Sequence, residues 1–540
     1  MLILSFHICR VFLFSLPYHT LVHLPLPSLL LPAVLSRSVA LPLAWLLSAV
    51  AVNMSPRSFF LLKCLSMVGV VSAALDVDLT DAQSIRDNAA LVAYDLLTFY
   101  KGNQSGQIPG ILPGPPPDGD YYWWQGGAMW GALIDYWHYT GDMSYVNTTT
   151  ESLLFQTGPR NNYMPPNWTA SLGNDDQAFW ALSTMAAAEV RFPDPPEDDV
   201  RQWLALTQAV FNTQAHPDRH DDTCNGGLRW QIPPSNNGYN YKNTIANACF
   251  FNIGARLARY TSNTTYYSWA FDTYDWMKRV SYIDPEYNVY DGAHVYHNCT
   301  DINKAQFSYN SGMLLQGAAF MYNWTSSQTD NTTLSEQEAA YWESEVRGLM
   351  NGTLRVFFPD GIAHEPACED IGTCTSDMLS FKGYVARWMA VTAQLAPFTR
   401  DSIMPALRSS AEAAVRTCTG GDNGRMCGFK WHQNEWDGTT GAGHQMNVLA
   451  AMTSLLMTDN EITGDAAGGS GGAPITNATG GTSAGDSAAG YGDERPWDDI
   501  YEPITTGDKA GAAILTIILV SFLTAGCVWV SLDEGFSIGR

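Results

Sequence analysis

From Asp78 to about Thr458, apolar residues recur at three- and four-residue spacing in long runs separated by stretches rich in Gly, Pro, Asn and Asp, with little period-two alternation. This pattern predicts helices over residues 80–101, 124–139, 175–191, 197–214, 242–261, 265–280, 304–323, 334–356, 376–394, 401–417 and 440–456, and hence an all-α domain. The spacing Tyr139-Thr140 to Tyr145 returns as Tyr260-Thr261 to Tyr266, each after one helix and before the next. Each copy reads as the turn of a helical hairpin. About a dozen helices in consecutive hairpins close into a two-layer ring of six, with a long bundle or solenoid as the alternative.

Both ends of the chain break the pattern. Residues 1–74 lack Asp and Glu and carry Leu-rich, Pro-broken runs around Arg10, Arg37, Arg57 and Lys63. Met54 opens a complete secretory signal: Arg57 and Lys63, the apolar stretch Cys64 to Val71, and the small-residue cleavage site Val71-Ser72-Ala73-Ala74. The expected division is a leader over 1–74, with its signal peptide at 54–74 and an extra leader or mis-assigned start upstream, then the domain at 75–458. Residues 459–506, rich in Gly, Ser, Ala, Thr and Asp, read as a flexible stalk. Residues 507–540 form an anchor, since Ala512 to Val530 is a 19-residue uncharged run, close to the ~20 residues of a spanning helix. Small residues Thr505 to Asp508 suit attachment of a glycosylphosphatidylinositol (GPI) anchor, whereas polar Ser531 to Arg540 suits a single-pass helix.

Sequons at Asn103, Asn147, Asn167, Asn263, Asn298, Asn323, Asn331, Asn351 and Asn477 read as surface loops of a secreted glycoprotein. The domain keeps seven cysteines. Cys368 with Cys374 and Cys418 with Cys427 are placed to staple local loops, and Cys249 lies inside an apolar helix as a buried thiol. No C-x-x-C or H-E-x-x-H spacing marks a metal site, and no cofactor motif is present. A net charge of −24 without basic clusters excludes a nucleic-acid partner. The 12% aromatic content exceeds the needs of one core and suits platforms for uncharged, flat-faced ligands such as sugars.

Leu172-Gly173-Asn174-Asp175-Asp176 places adjacent carboxyls at a helix start. Such residues ordinarily cap helices and face the positive end of the dipole. Two carboxyls about 5 to 5.5 Å apart would instead serve a retaining glycosidase, because proximity pushes their pKa values apart and leaves one ionised and one protonated. Mixed aromatic and polar stretches accompany the pair: Tyr121 to Trp130, Gly226 to Trp230, Lys242 to Asn247, Val289 to Gly292, Phe307 to Gly312 and Phe381 to Trp388.

These stretches, in this order, resemble glycoside hydrolase family 76, the endo-α-1,6-mannanases, and most closely its fungal GPI-anchored cell-wall members. The resemblance spans residues 75–458. It implies an (α/α)6 toroid and a retaining mechanism with Asp175 as nucleophile and Asp176 as acid/base. For the fungal subgroup it implies transfer: an α-mannan or GPI-glycan donor is cut and passed to a wall β-glucan acceptor at the outer face of the plasma membrane. Candidate sugar contacts are Trp124, Trp180, Trp230, Asn243, Asn247, Asp291, Tyr309, Asn310, Lys382 and Arg387. For Trp124 and Trp180 a core role competes. For Asn243 and Asn247 the competitor is a tie between helices, for Asp291 a turn, for Asn310 a buried amide, and for Lys382 and Arg387 an inter-helix ion pair. The rivals to the enzyme reading are a catalytically silent glycan-binding wall protein and an inverting glycosidase, whose carboxyls would stand about 6.5 to 9.5 Å apart.

Overall fold

The computed structural model describes residues 74–328, 333–458, 468–490 and 505–535. The leader, the sequon at Asn331, residues 459–467 and 491–504, and the last five residues lie outside the described residues.

Among the described residues, twelve helices build the domain: α1 (Ala82–Leu97), α2 (Trp123–Thr140), α3 (Val146–Phe155), α4 (Asn174–Glu189), α5 (Trp203–Gln214), α6 (Thr244–Thr261), α7 (Thr264–Arg279), α8 (Ser308–Ser326), α9 (Thr333–Phe357), α10 (Phe381–Leu395), α11 (Arg400–Arg416) and α12 (Ala442–Thr453). Even-numbered helices pack in the closed order α2, α4, α6, α8, α10, α12 and back to α2, while the odd-numbered helices back onto them from outside. This is the (α/α)6 toroid. Inner helices such as α2 and α8 are buried on nearly every face, as expected for helices apolar all round. Outer helices such as α7 and α11 bury one stripe. Local chemistry sets many of the boundaries. Asp81 caps α1 by accepting from Gln83 and Ser84 N–H, Asn263 caps α7, and Gly141 ends α2 in the left-handed region that Gly tolerates best.

Three features depart from the sequence expectation. Helix α3 was not predicted, because its Thr148-Thr149-Thr150 run is β-branched and blurs the apolar period. A small antiparallel sheet, β1 (Tyr241–Asn243), β2 (Gly292–His294) and β3 (Ile302–Asn303), pairs Tyr241 with His294 and Asn243 with Gly292. Strands this short show no readable alternation.

The third is a correction to the stalk: residues 468–490 are a strap bound to the ring. Gly469 and Gly471 N–H donate to the carbonyls of Trp137 and His138, and Ile475 N–H donates to that of Glu189. Arg259 holds the Pro474 and Ile475 carbonyls, and Asn212 holds those of Ser487 and Ala489. The strap thus crosses the C-terminal ends of α2, α4 and α6 before following α5. Its grip is largely backbone hydrogen bonding, so composition could not announce it.

Disulfides join Cys224–Cys299, Cys368–Cys374 and Cys418–Cys427, and Cys249 is a buried thiol. Asn323 is not a free surface sequon: its Oδ1 accepts from Arg259 and its Nδ2 donates to the Leu395 carbonyl. A further helix, α13 (Thr506–Gly535), is long and apolar enough over Thr506–Trp529 to cross a membrane.

Candidate active site

Because inner helices alternate with outer ones, all six inner N-termini face one side of the ring. A pocket of about 660 Å³ opens there, and its lining includes both members of the Asp175–Asp176 dyad. The dyad sits in the first turn of α4. The stretch leading into it is fixed by an antiparallel bridge between Gly173 and Gln231, with Asn174 N–H donating to the Trp230 carbonyl and Ile232 N–H to that of Leu172. That bridge places Trp230 beside the two carboxyls. Gly173 is required by space: a Cβ there would stand 2.2 Å from Asp175 Oδ1 and 2.9 Å from Asp176 Oδ2.

The two carboxyls are held differently. Asp175 Oδ1 accepts from Asp176 N–H at 3.0 Å, and its Oδ2 faces Asn243 Nδ2 at 3.5 Å. Asp176 Oδ2 accepts from Gly173 N–H at 2.7 Å, so Asp176 does cap its helix. Burial raises both above the ordinary carboxyl range, and Asp176 is raised further by the charge of Asp175. Asp175, with more donors, is the one that ionises more readily.

The sequence-predicted contacts divide. Trp124, Trp230, Asn243, Asp291 and Tyr309 line the pocket. Asn243 caps α6 and reaches Asp175. Asp291 accepts from Tyr241 OH and Asn303 Nδ2. The other five stand outside it. Trp180 is fully buried, stacked between Trp123 and Tyr163. Asn247 clips both backbone groups of Leu228. Asn310 is wholly buried beside its pocket neighbour Tyr309. Lys382 is pinned by Glu369, the Phe429 carbonyl and the faces of Phe429 and Trp431. Arg387 pairs with Asp135 in a smaller cavity inside the ring. Arg387 is thus the inter-helix ion pair weighed as the competing reading, Lys382 and Asn247 tie their helices to neighbouring loops, and Asn310 is a buried amide.

Sequence reading missed Asp377, Phe179 and Phe381. Asp377 lines the pocket, accepts from Trp124 Nε1 at 3.0 Å, and is pushed up to about 6 by burial. Nothing in its Ser-Asp-Met context distinguishes it from a loop residue. Phe179 lies four residues after Asp175 on the same helix face, and Trp124 packs against it. Phe381 stacks on Tyr309 with centroids 3.8 Å apart. Among the described residues, four carboxyls and no Lys, Arg or His line the pocket.

The pattern of glycosyl hydrolase family 76 matches residues 84–466. Mannan endo-1,6-alpha-mannosidase DCW1 of Saccharomyces cerevisiae is 41% identical over 87% of this chain and 99% of its own length. The Candida glabrata protein of the same name is 43% identical over 86% and 98%. Among solved structures, Dfg5 from Chaetomium thermophilum in complex with glucosamine aligns with a TM-score of 0.72 and 55% identity, over 79% of this chain and 100% of that one. An inactive variant of an α-1,6-mannanase of Salegentibacter in complex with α-1,6-mannotriose shares the fold at a TM-score of 0.51 and 18% identity, over 70% and 99%. Since the family's pattern runs from α1 past α12 and the relatives match over nearly their whole length, the chain is a glycosidase and belongs to glycosyl hydrolase family 76.

Proposed function

We propose that this glycosidase is retaining, acts on α-1,6-mannosidic donors at the cell surface, and transfers the cleaved glycan to a wall β-glucan. The observation that carries the reading is the dyad: adjacent carboxyls lining one pocket, one better supplied with donors than the other. In the first step Asp175 attacks C1 of the donor as its glycosidic C–O bond breaks, and Asp176 gives its proton to the departing oxygen. A covalent glycosyl ester remains. In the second step Asp176, now ionised, takes the proton of an acceptor hydroxyl, whose oxygen bonds to C1 and releases Asp175. Water as acceptor gives hydrolysis, and a glycan gives transfer.

The names of the yeast relatives support α-1,6-mannan as the substrate class. A GPI-glycan donor is supported by pocket charge. Glucosamine is bound by the Chaetomium relative, and a protonated amino sugar suits four carboxyls without a cation. Helix α13 is the candidate anchor holding the domain at the plasma membrane.

The test incubates the soluble domain with an α-1,6-mannan fragment or GPI glycan, with and without β-glucan oligosaccharides, and weighs the products. Transfer predicts a mixed donor–acceptor species with retained anomeric configuration. Plain mannanase action gives only shortened mannan. If Asp175→Asn and Asp176→Asn each leave turnover intact, the dyad assignment is wrong.

A further inference from the structure

The small sheet forms a lip on the pocket side of the ring, and its outer surface carries aromatic rings that the catalytic reading does not use. Tyr241 lines the pocket with its hydroxyl bonded to Asp291. Directly across the β1–β2 pairing stands His294, edge-on to Tyr241 with centroids 4.9 Å apart. Beyond it, Tyr296 lies nearly parallel to His294, 20° between planes and 6.3 Å between centroids. Tyr296 is 72% exposed, which is far more than a ring needs for packing. Yet it is not a loose side chain, because Asn240 Nδ2 donates to its hydroxyl.

The lip beneath is built to be rigid. Val295 N–H donates to the Asn240 carbonyl and Trp230 N–H to that of Tyr241. The Cys224–Cys299 disulfide and a hydrogen bond from Cys224 N–H to Asn298 Oδ1 tie the hairpin's far end to the loop before Trp230. Three rings therefore run outward from the pocket mouth at fixed positions.

We propose that His294 and Tyr296 form an acceptor subsite for a β-glucan chain leaving the pocket; the assignment to the acceptor rests on the transfer reading above. Neither ring takes part in an ion pair or cation–π contact among the described residues, so the ledge suits a neutral ligand. Amides edge it at Asn240 and Asn303, and amides both donate to and accept from sugar hydroxyls. Stereochemistry separates the two neutral glycans. β-Linked glucose carries its ring substituents equatorially and offers flat C–H faces to an aromatic ring, whereas the axial 2-hydroxyl of mannose obstructs one face. The ledge is continuous with the pocket through Tyr241, so one chain can occupy both.

The test uses the chain carrying Asp175→Asn, so that ligands are bound and not turned over. Calorimetric titration with β-glucan oligosaccharides and with α-1,6-mannooligosaccharides compares the unaltered lip with Tyr296→Ala and with Asn240→Ala, which releases the ring's hydroxyl. Circular dichroism checks folding. The proposal expects β-glucan affinity to fall roughly three- to tenfold in both variants, with mannan affinity unmoved. A fall in mannan affinity would make the ledge part of the donor chain and overturn it. So would absence of β-glucan binding, or binding indifferent to both substitutions. If β-glucan binds at the ledge but no mixed product forms with the active chain, the transfer reading fails and the subsite stands.

Discussion

Replacing Asp377 by Asn should make the protein more stable at alkaline than at acid pH relative to its parent, and the size follows from the site. A carboxyl held at about 6 in the fold against an ordinary 3.8 opposes folding by about 3 kcal/mol once it is ionised in both states. The folded value is the higher one, so the native state binds the proton more tightly. The penalty is therefore small below the unfolded value, grows between the two, and is complete above about pH 6. Pocket water reaches part of the carboxyl, which lowers the working figure to about 2 kcal/mol. Asn keeps an acceptor for Trp124 Nε1 and never carries the charge, so it escapes the penalty while matching the protonated parent. The variant should thus melt close to the parent at pH 4 and above it at pH 8. About 2 kcal/mol across that range corresponds to roughly 2 to 3 °C for a domain of this size. Thermal melts of both proteins at one scan rate, in steps from pH 4 to 8, give the difference curve. A flat or falling curve would refute the argument that burial dominates the Asp377 environment.

Gly173→Ala should lower kcat by roughly a hundredfold or more while leaving the fold intact, since the added methyl displaces both carboxyls; unaltered kinetics would mean the dyad does not need its observed positions. Activity against pH should be bell-shaped with both limbs displaced upward from ordinary carboxyl values, because burial raises both members of the pair; an acid limb near pH 4 would contradict it. A chain ended after Thr458 should melt several degrees below one ended after Gly490, as it loses the strap and the burial of Ile475, worth about 2 kcal/mol by itself; equal melting would show the strap to be passive. Glycopeptide mass spectrometry should find Asn323 unmodified, because its amide nitrogen is committed to Leu395, while exposed Asn103, Asn263 and Asn477 remain open to modification.

The ring was legible because its helices are long and their apolar periods survive many turns. Eleven were expected, and the missing one is the short, Thr-rich α3. The dyad was legible as a pair through its sequence motif. The identity of its neighbours was not, because which face of an inner helix meets the pocket depends on a rotation of one residue. Phe179 lines the pocket and Trp180 does not; Phe381 does and Lys382 does not. Inner helices are buried on all sides, so no polar face reports their orientation. Charge misled in the same way. Lys382 and Arg387 suggested hydroxyl-binding cations, but Glu369, in the loop before α10, and Asp135, remote in sequence, neutralise them.

That arrangement bears on why a fold should place four carboxyls in one pocket without a cation. All six inner helices present their N-termini to that face, each contributing the partial positive charge of unpaired backbone N–H groups. The dyad draws on this directly through the N–H groups of Gly173 and Asp176. An Arg or Lys in the pocket would supply more charge, but it would hold both members of the pair ionised and leave no acid to protonate the departing oxygen. Backbone dipoles are weaker, fixed, and unable to titrate. They favour one carboxylate while burial favours the protonated form of its neighbour, the division of charge that the proposed double displacement requires. The same reasoning explains why three cations of the inner helices are paired out of reach of the pocket: Arg256 with Glu189, Lys382 with Glu369, Arg387 with Asp135. Their positive charge joins neighbouring segments of the ring and is kept from the dyad.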